Sequence, residues 1–385
     1  MAERRPRVLI AGVSTRALAA SASRAGYRVT AIDAFGDSDL RAVAEVVPLR
    51  QDGGIRFSPA AAAVAARSVD ADLVAYTSNF ENYPEAVVAL SRERRLLGNP
   101  AAVLRAVRNP IELMRQLRRR GFAVPVTRAS APPTAVEAGR WLLKPRRSGG
   151  GHGTLPWRRG RPVPRRAYLQ EHIRGITGSI VFVADGRRAV ALGLSRQLVG
   201  LRPFGAHGFR YCGSLLASEP VPVFPRQAEL LAHATALADA VTEAFGLRGL
   251  NGLDFVARDG VPLPIEVNPR YSASMELVER ATGCSLFALH AAACDGRLPA
   301  PRGLPSRVHG KAIVFARRDI VVGDVDTWQA APLADVPHLG ERIGRGHPIC
   351  TLLADGADAD RCLRTLTDHA AAVYRAVETR ARGAA

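Results

Sequence analysis

Apolar residues recur along the first hundred residues with two different spacings. Short apolar runs lie at 8–10, 27–32, 44–49 and 72–76, and segments with helical spacing lie between them, at 18–25, 59–68 and 84–94. Strands that alternate with helices of this length are typical of a doubly wound parallel sheet. The pattern therefore predicts an α/β fold that begins with a Rossmann-like domain over residues 1–100.

The spacing changes after this region. A helix or helix pair is predicted over 101–120, and from residue 141 short strands joined by Gly-containing turns dominate, with hairpins at 179–194 and 250–270. A long helix is predicted at 226–245, a strand at 311–316, and a last helix from about residue 358. We expect linker helices and a small domain over 101–185, a larger α+β domain over 186–300, and a C-terminal α/β segment over 301–385.

Composition excludes several classes of protein. The chain has 385 residues, of which 47% are hydrophobic, as in ordinary globular proteins. No apolar run approaches the roughly 18 residues of a membrane helix, and the run after the basic N-terminus is too short for a signal peptide. Five cysteines without a CxxC pair favour neither a zinc site nor a disulfide framework. We therefore expect a cytoplasmic protein with no membrane partner.

The charge is strongly positive, with a formal value of +18, and only Lys144 and Lys311 among the 53 basic residues are lysines. An excess of cations favours small anionic partners such as nucleotides and carboxylates. The arginine runs lack aromatic interleaving and contain no recognition motif, so no nucleic-acid partner is expected. The turn after the first strand has a single glycine, Gly12, and therefore lacks the GxGxxG signature of dinucleotide binding.

A first group of functional residues begins with a predicted strand that ends in Lys144. The glycine-rich segment 148–153 follows within a few residues. Glycines let the backbone approach a ligand closely, and successive N–H groups can form a nest for an anion. Because lysine is so rare in this chain, its retention at position 144 favours a phosphate contact that a guanidinium would not replace. His152 is expected to pack or cap this loop.

The second group lies in the hairpin at 250–270. Glu266 and Asn268 are two apart in an extended segment and share a face, and Asp254 joins them if the loop has three residues or the strand contains a bulge. Two carboxylates and an amide oxygen are ligands that Mg²⁺ accepts, and manganese is expected to substitute for it. Arg270, just beyond, can stabilise negative charge on a phosphoryl group in transfer.

These two groups, with the strand 168–173 between them, resemble the ATP-grasp superfamily over roughly residues 7–300. The resemblance implies an ATP-grasp fold with an N-terminal doubly wound domain, a small α+β lid domain and a larger α+β domain. It also implies three sets of ligands: for the ATP phosphates Lys144, Ser148, Gly149, Gly150, Gly151 and Gly153; for adenosine Gln170, Glu171 and Ile173; and for magnesium Asp254, Glu266 and Asn268.

One position departs from the superfamily pattern. Many members have Asp-Lys before the helix that follows the N-terminal domain, where this chain has Asn109 and Pro110. A second nucleotide-binding lysine is therefore missing, and its contact must come from another residue or be lost. Segments around Ser195, Tyr211 and Glu266 resemble a poorly characterised branch labelled ATP-dependent carboligase-related, found in archaea and methylotrophs.

The resemblance implies a carboxylate–amine ligase that forms an acyl phosphate from Mg-ATP and then an amide, with Lys144 and Arg270 as catalytic residues. The methylotroph branch suggests a role in the synthesis of a C1-carrier coenzyme. The acceptor pocket has four candidate residues, Gln197, Arg202, Arg210 and Tyr211, and Lys311 either binds a carboxylate or pairs with an acid. Two alternatives stay open: a biotin-carboxylase-like carboxylation, and a non-catalytic nucleotide- or nucleic-acid-binding protein. The oligomeric state also stays open, with a homodimer as one alternative.

Overall fold

The computed structural model describes residues 5–51, 54–55, 57–131, 141–328 and 332–383. None of the helices in these ranges combines the length and the apolar character that crossing a membrane requires.

The N-terminal sheet has five parallel strands in the order β3-β2-β1-β6-β7. Alternate residues of its central strand face two helical layers: Ile10 packs with Leu18, and Leu9 packs with Val87. The strands are β1 (Arg7–Ala11), β2 (Arg28–Asp33), β3 (Glu45–Pro48), β6 (Leu73–Tyr76) and β7 (Arg95–Leu96), with a separate pair β4 (Arg50–Gln51) and β5 (Gly54–Ile55). The helices are α1 (Arg16–Arg24), α2 (Ser38–Arg41), α3 (Pro59–Ala65) and α4 (Pro84–Leu90).

Asp33, at the end of β2, has a structural role. One carboxylate oxygen accepts hydrogen bonds from the backbone N–H and hydroxyl of Thr15, at 2.7 and 2.8 Å. The other accepts from the backbone N–H groups of Phe35 and Gly36, at 2.7 and 2.8 Å. Burial raises the pKa of Asp33, although these hydrogen bonds oppose the rise. In dinucleotide-binding folds, an acid at this position binds the ribose. In this chain, the Asp33 carboxylate instead accepts hydrogen bonds from the neighbouring loops.

Two helices and a small antiparallel sheet follow. Helices α5 (Ala101–Val107) and α6 (Pro110–Arg119) are separated by Arg108 and Asn109, and the Asn109 side chain caps α6 by accepting from the backbone of Ile111 at 3.2 Å. The sheet has the order β10-β9-β11-β8. Its strands are β8 (Thr127–Arg128), β9 (Trp141–Pro145), β10 (Leu155–Pro156) and β11 (Ala167–Glu171).

The largest sheet has eight antiparallel strands in the order β16-β15-β12-β13-β14-β17-β21-β19. It separates two cores. Phe182 packs towards the helices Gln227–Phe245 and Ala359–Gly383, whereas Val183 packs towards the helices Met275–Thr282 and Leu286–Cys294 and towards the N-terminal sheet. The strands, including a small pair β18 and β20, are β12 (Ile176–Asp185), β13 (Ala189–Val199), β14 (Tyr211–Leu216), β15 (Arg248–Arg258), β16 (Val261–Asn268), β17 (Val308–Phe315), β18 (Ile320–Val321), β19 (Leu333–Ala334), β20 (Arg342–Ile343) and β21 (Pro348–Gly356). The helices are α7 (Gln227–Phe245), α8 (Met275–Thr282), α9 (Leu286–Cys294) and α10 (Ala359–Gly383).

A buried hydrogen-bond network joins the N-terminal sheet to the end of β16. The Tyr76 hydroxyl donates to the carbonyl of Asn99 at 2.8 Å and lies 3.2 Å from the carbonyl oxygen of Pro269, which can share the same hydrogen. The Asn99 amide donates to Asn251 Oδ1 at 2.8 Å and to the Pro269 carbonyl at 3.1 Å. These bonds fix the segment that carries Arg270 against the N-terminal domain, because a buried polar group that lost its partner would be costly.

Most predicted elements are present, with shifted ends. The helix predicted at 84–94 ends at Leu90, and the one predicted at 59–68 ends at Ala65 and continues as a 3₁₀ turn, Ala66–Ser68. The large sheet crosses both predicted boundaries around 186–300, since it includes β12 on one side and β17, β19 and β21 on the other. The domain limits therefore stay predictions.

Candidate active site

The hairpin of β15 and β16 decides whether the two predicted metal-binding carboxylates face each other. Its turn has two residues, Asp259 and Gly260, with φ angles of 54° and 78°, as in a type I′ turn. Such a turn alone would place Asp254 opposite Ile265, but a β-bulge leaves Ile265 out of the register and pairs Asp254 with Glu266. The predicted bulge is confirmed, and its alternative, a three-residue loop, is wrong. β16 is also an edge strand, as its two prolines predict.

The paired carboxylates have opposite pKa shifts. Burial, together with the charge of Glu266, raises the pKa of Asp254 to about 7. Burial also opposes ionisation of Glu266, but nearby cations, Arg108 first and then Lys144, outweigh it and lower its pKa. The Asn268 amide donates to Asp254 Oδ2 at 3.0 Å. Two adjacent, partly buried carboxylates and an amide oxygen fit a divalent cation, which would relieve the repulsion between the two acids.

Arg270 lies directly beyond these ligands and is almost completely buried. Its guanidinium donates to Glu81 Oε1 at 2.9 Å, to Asn268 Oδ1 at 3.1 Å and to the Tyr271 carbonyl at 3.0 Å. Burial opposes its charge, but the Glu81 carboxylate outweighs this and raises the pKa of Arg270. Among the described residues, Arg270 Nε and Glu81 Oε2 are buried and have no hydrogen-bond partner. Both atoms therefore have unused capacity for a ligand.

Lys144 extends from β9, next to Tyr168 of β11 in the sheet register. Its ammonium donates to Gln170 Oε1 at 3.1 Å and lies 5.8 Å from the centre of the Tyr168 ring. Burial opposes its charge, but Tyr168 and Glu266 outweigh burial, so that the pKa of Lys144 is raised. The Gln170 amide also donates to the carbonyl of Ile265 at 3.3 Å. The side chains of the small sheet thus meet the metal-binding hairpin.

The glycine-rich loop uses backbone conformations that other residues rarely adopt. Gly150, Gly151 and Gly153 have φ angles of 60°, 74° and 73°. A Cβ atom on Gly151 would lie 1.8 Å from the Phe209 carbonyl oxygen, so only glycine fits there. The backbone N–H of Tyr211 donates to the carbonyl of Gly150 at 2.9 Å. The loop is therefore docked against the large sheet.

The loop also contacts the N-terminal domain. The Ser148 carbonyl accepts from Asn82 Nδ2 at 3.4 Å and from Arg108 Nη2 at 3.1 Å. Ser148 Oγ donates to the carbonyl of His152, whose own side chain is exposed. His152 therefore takes part in the turn through its backbone, in line with a structural role.

The predicted adenosine residues lie beside a small apolar cluster. Ile173 packs with Val256, Leu263 and Ile265 in a small cluster of their own. The Glu171 carboxylate accepts from the backbone N–H of Val126 at 3.1 Å, so this side chain already has a structural partner.

A single cleft, which we call the central cleft, brings the predicted site residues together. It is bordered by every predicted site residue except Gly153, namely Lys144, Ser148, Gly149, Gly150, Gly151, Gln170, Glu171, Ile173, Asp254, Glu266, Asn268 and Arg270. Their roles in binding ATP and magnesium stay predictions, because the arrangement of the side chains does not identify the ligand.

The four candidate acceptor residues separate into two pairs. Gln197 and Tyr211 border the central cleft, and the Tyr211 hydroxyl lies 2.9 Å from Ser214 Oγ. Arg210 instead stacks on Phe315, with 3.8 Å between its guanidinium carbon and the ring centre. Arg202 also lies outside the cleft, in a 3₁₀ turn.

Lys311 is buried and pairs with Glu276, with 2.5 Å between Nζ and Oε2. Arg16 of the N-terminal domain pairs with the same carboxylate. Of the two alternatives for Lys311, the structure shows the pairing with an acid. This lysine therefore ties the large sheet to α8 and, through Glu276, to the N-terminal domain.

Sequence reasoning missed Arg108. Its Nη1 lies 3.5 Å from Glu266 Oε2 and donates to the Val267 carbonyl at 3.1 Å. Its Nη2 donates to Asn82 Oδ1 at 2.9 Å. This guanidinium thus supplies a cation to the central cleft from a position close to that of the missing lysine. The sequence contained a signal for it, since Arg108 lies two positions before Pro110, where the lysine would stand.

Comparisons with known proteins agree with this geometry. Residues 107–274 match the family model of the ATP-grasp domain. An uncharacterized protein of Methanocaldococcus jannaschii is 29% identical over 114 residues, which are 30% of this chain and 28% of that protein. The chain thus spans little more than a quarter of the length of this relative.

Three solved structures are similar over most of their length. N5-carboxyaminoimidazole ribonucleotide synthetase from Thermus thermophilus has a TM-score of 0.66 at 21% identity and covers 96% of this chain and 98% of its own. L-amino acid ligase from Bacillus licheniformis has 0.65 at 16%, covering 95% and 97%. The biotin carboxylase domain of 2-oxoglutarate carboxylase from Hydrogenobacter thermophilus, solved with MgADP and bicarbonate, has 0.67 at 13%, covering 92% and 87%. At these identities the likeness shows the fold.

Proposed function

We propose that this chain, whose residues 107–274 match the family model of the ATP-grasp domain, is an ATP-grasp enzyme that uses ATP and Mg²⁺ and acts as an ADP-forming carboxylate–amine ligase. In this proposal, ATP phosphorylates a small carboxylic acid, and the acyl phosphate reacts with an amine to form an amide.

The observation that carries the proposal is the charge pattern of the central cleft. Asp254 and Glu266 lie opposite each other, and three cations, Arg108, Lys144 and Arg270, are grouped around them. A magnesium ion held by the two acids and Asn268 would screen the β- and γ-phosphates, and the cations would stabilise the charge that develops during transfer. The apolar end near Ile173 suits a purine base.

The chain's own residues would act by positioning. Arg270 is held by Glu81 and Asn268, so that its orientation is fixed before a substrate binds. Its Nε is buried and has no hydrogen-bond partner among the described residues, and Arg270 borders the central cleft. A carboxylate oxygen attacks the γ-phosphorus and ADP leaves with the electron pair of the broken bond. The amine then attacks the acyl carbon, phosphate leaves, and the amine loses a proton to solvent or to phosphate.

The acceptor side of the cleft is proposed to include Gln197 and Tyr211. Burial raises the pKa of Tyr211, so its hydroxyl stays protonated and can donate a hydrogen bond. The hydroxyl of Ser214 and the side chain of Ser272 also border this part of the cleft. Ser272 Oγ is buried without a partner among the described residues. These groups suit an uncharged or amine-bearing acceptor better than a second carboxylate.

A second candidate reaction is carboxylation, in which bicarbonate is the acid that is phosphorylated. It is supported by the full-length similarity to carboxylating relatives, one of which was solved with bicarbonate. The two reactions share their first step and differ in the acid. Carbon-14 bicarbonate incorporated, with ADP release, into a product that is kept at alkaline pH would favour carboxylation, because N-carboxylated products lose carbon dioxide in acid. ADP release that depends on an organic acid, with no incorporated label, would favour the ligase.

The acyl-phosphate step is tested with oxygen-18 in the substrate carboxylate. The label must appear in released phosphate, because the attacking oxygen stays on phosphorus when the amine displaces it. Hydroxylamine should trap the activated acid as a hydroxamate when the amine is withheld. Formation of AMP and pyrophosphate, or label that never reaches phosphate, would refute this route.

Three finer assignments rest on the sequence. We propose small-molecule substrates, a cytoplasmic location, and a role in the synthesis of a C1-carrier coenzyme, for which the resemblance to the methylotroph branch is the support. A homodimer is the proposed assembly, and light scattering of the purified chain would test it.

A further inference from the structure

A second cavity, of about 720 Å³, lies outside the central cleft. It is a groove between α3 and α4 of the N-terminal domain and the linker helix α5, closed on one side by the two residues that follow β9. Five arginines border it, namely Arg67, Arg105, Arg108, Arg146 and Arg147. Its volume lies within the range of small-molecule sites in proteins, roughly 300–1,000 Å³. We call it the arginine groove.

The charges of the arginine groove are not balanced. Arg105 pairs with Glu85, and Arg108 lies within 4 Å of Glu266. In contrast, no ion pair joins Arg67, Arg146 or Arg147 to a carboxylate anywhere in the described ranges of the chain. Three guanidinium groups that share one concavity repel one another, and an anion that enters it removes this repulsion.

One of these arginines is held in place by an aromatic ring. The guanidinium carbon of Arg147 lies 5.1 Å from the centre of the Tyr83 ring, a cation–π contact. The contact fixes the side chain at the edge of the groove without neutralising it. Helices α3 and α4 supply a floor of small apolar side chains, including Ala63 and Ala86. The groove therefore combines a cationic rim, of which one arginine is held by an aromatic ring, with an apolar base.

The arginine groove is distinct from the central cleft. Arg67, Arg105 and Arg147 border the groove alone, whereas Arg108 and Arg146 border both cavities. Between the cavities, Arg108 donates to Asn82 and to the Ser148 carbonyl. An anion in the groove would thus bind on the far side of the residues that hold the glycine-rich loop.

We propose that the arginine groove is a second anion-binding site, which takes a phosphate- or carboxylate-bearing ligand with a small apolar part. Phosphates and polycarboxylates are both multiply charged oxyanions, and guanidinium groups bind both through paired N–H donors. The site does not depend on the ligase reaction, since two of its three unpaired cations, Arg67 and Arg147, border the groove alone.

The test uses the full-length protein with Mg-AMP-PNP at saturation, so that the central cleft is filled. Inorganic phosphate and tricarballylate are titrated separately by calorimetry. Wild type should bind at least one probe, and the double substitution Arg67→Ala with Arg147→Ala should weaken that binding at least about tenfold. The probe that binds identifies the source, phosphate ester or polycarboxylate. Affinity should also fall as ionic strength rises.

The matched control removes two exposed arginines from α6, Arg118→Ala with Arg119→Ala, and so changes the net charge equally. It should bind the probe like wild type, and both variants should bind Mg-AMP-PNP normally. Equal weakening in both variants would assign the effect to net charge and overturn the proposal. Displacement of AMP-PNP by the probe, or no binding by wild type at about 10 mM, where even a millimolar site is filled, would also overturn it.

Discussion

Replacing Arg108 with Ala should weaken nucleotide binding more than any single change at an exposed arginine. This side chain is only 12% exposed and makes four contacts. It approaches Glu266, and it donates to the Val267 carbonyl, to Asn82 and to the Ser148 carbonyl. The substitution therefore removes a cation from the metal-binding acids and a bond that holds the glycine-rich loop.

The magnitude follows from the geometry. Two unit charges 3.5 Å apart interact by about 5 kcal/mol at an effective dielectric constant near 20. Much of this is offset by desolvation, and single hydrogen bonds to charged groups contribute about 1.5–3 kcal/mol in practice. A phosphate oxygen bound by Arg108 would gain a similar amount. The loss of the side chain should thus weaken Mg-AMP-PNP binding about 10- to 150-fold.

Isothermal titration calorimetry with Mg-AMP-PNP measures this effect without a known substrate. Arg108→Lys should fall between wild type and Arg108→Ala, because an ammonium keeps the charge but cannot make the paired contacts of the fork. Arg115→Ala, an exposed arginine on α6, is the control and should bind normally. If Arg108→Ala bound the nucleotide within about twofold of wild type, Arg108 would have no part in nucleotide binding and the reasoning would be refuted.

Three further predictions concern Lys144, Glu266 and His290. Lys144→Arg should weaken Mg-AMP-PNP binding at least about tenfold, and unchanged affinity would contradict the argument from lysine scarcity. Glu266→Gln should lose the Mn²⁺ that wild type binds with ADP, measured by electron paramagnetic resonance, while thermal unfolding shows that the fold is retained; full Mn²⁺ occupancy would argue against the metal assignment. His290 accepts from the backbone N–H of Leu250 at 2.8 Å and is neutral, because burial lowers its pKa to about 4. This pKa lies below that of a histidine in the unfolded chain, which is near 6.5. The contribution of neutral His290 to the free energy of unfolding is therefore complete above pH 6.5 and is lost as pH falls towards 4, by about 2 kcal/mol between pH 7 and pH 5. Urea unfolding at both pH values should show this loss in wild type and a smaller one in His290→Gln, and equal losses would count against it.

The order of strands and helices could be predicted because local hydrophobic spacing determines it. The pairing of Asp254 with Glu266 was predictable for a different reason. Metal ligands must lie on the same face of the hairpin, and a two-residue turn alone would not place them there. The turn type was not settled, because a bulge and a longer loop have the same effect on that register.

The remaining residues of the site could not be predicted from local sequence. Glu81 meets Arg270, which is 189 positions further along the chain, only because the N-terminal sheet packs on the end of β16. Asn82 reaches Ser148 through the same contact. Arg202 and Arg210 were assigned to the acceptor pocket by their position between motifs, and packing directs Arg210 towards Phe315 instead. Tertiary contacts, and not spacing, select which polar side chains enter the cleft.

The bulge at Ile265 also bears on how this hairpin can diverge. An extra residue in the turn shifts the facing pairs of the hairpin by one position, and an extra residue in the strand does the same. Either one alone places Asp254 opposite Glu266, and both together place it opposite a different residue. Related chains can therefore exchange one insertion for the other through two compensating single-residue changes, each of which alone would turn Glu266 and Asn268 away from Asp254. The length of the loop in a relative is then uninformative by itself. Only the number of residues between the aspartate and the glutamate, counted through the whole hairpin, is expected to be constrained.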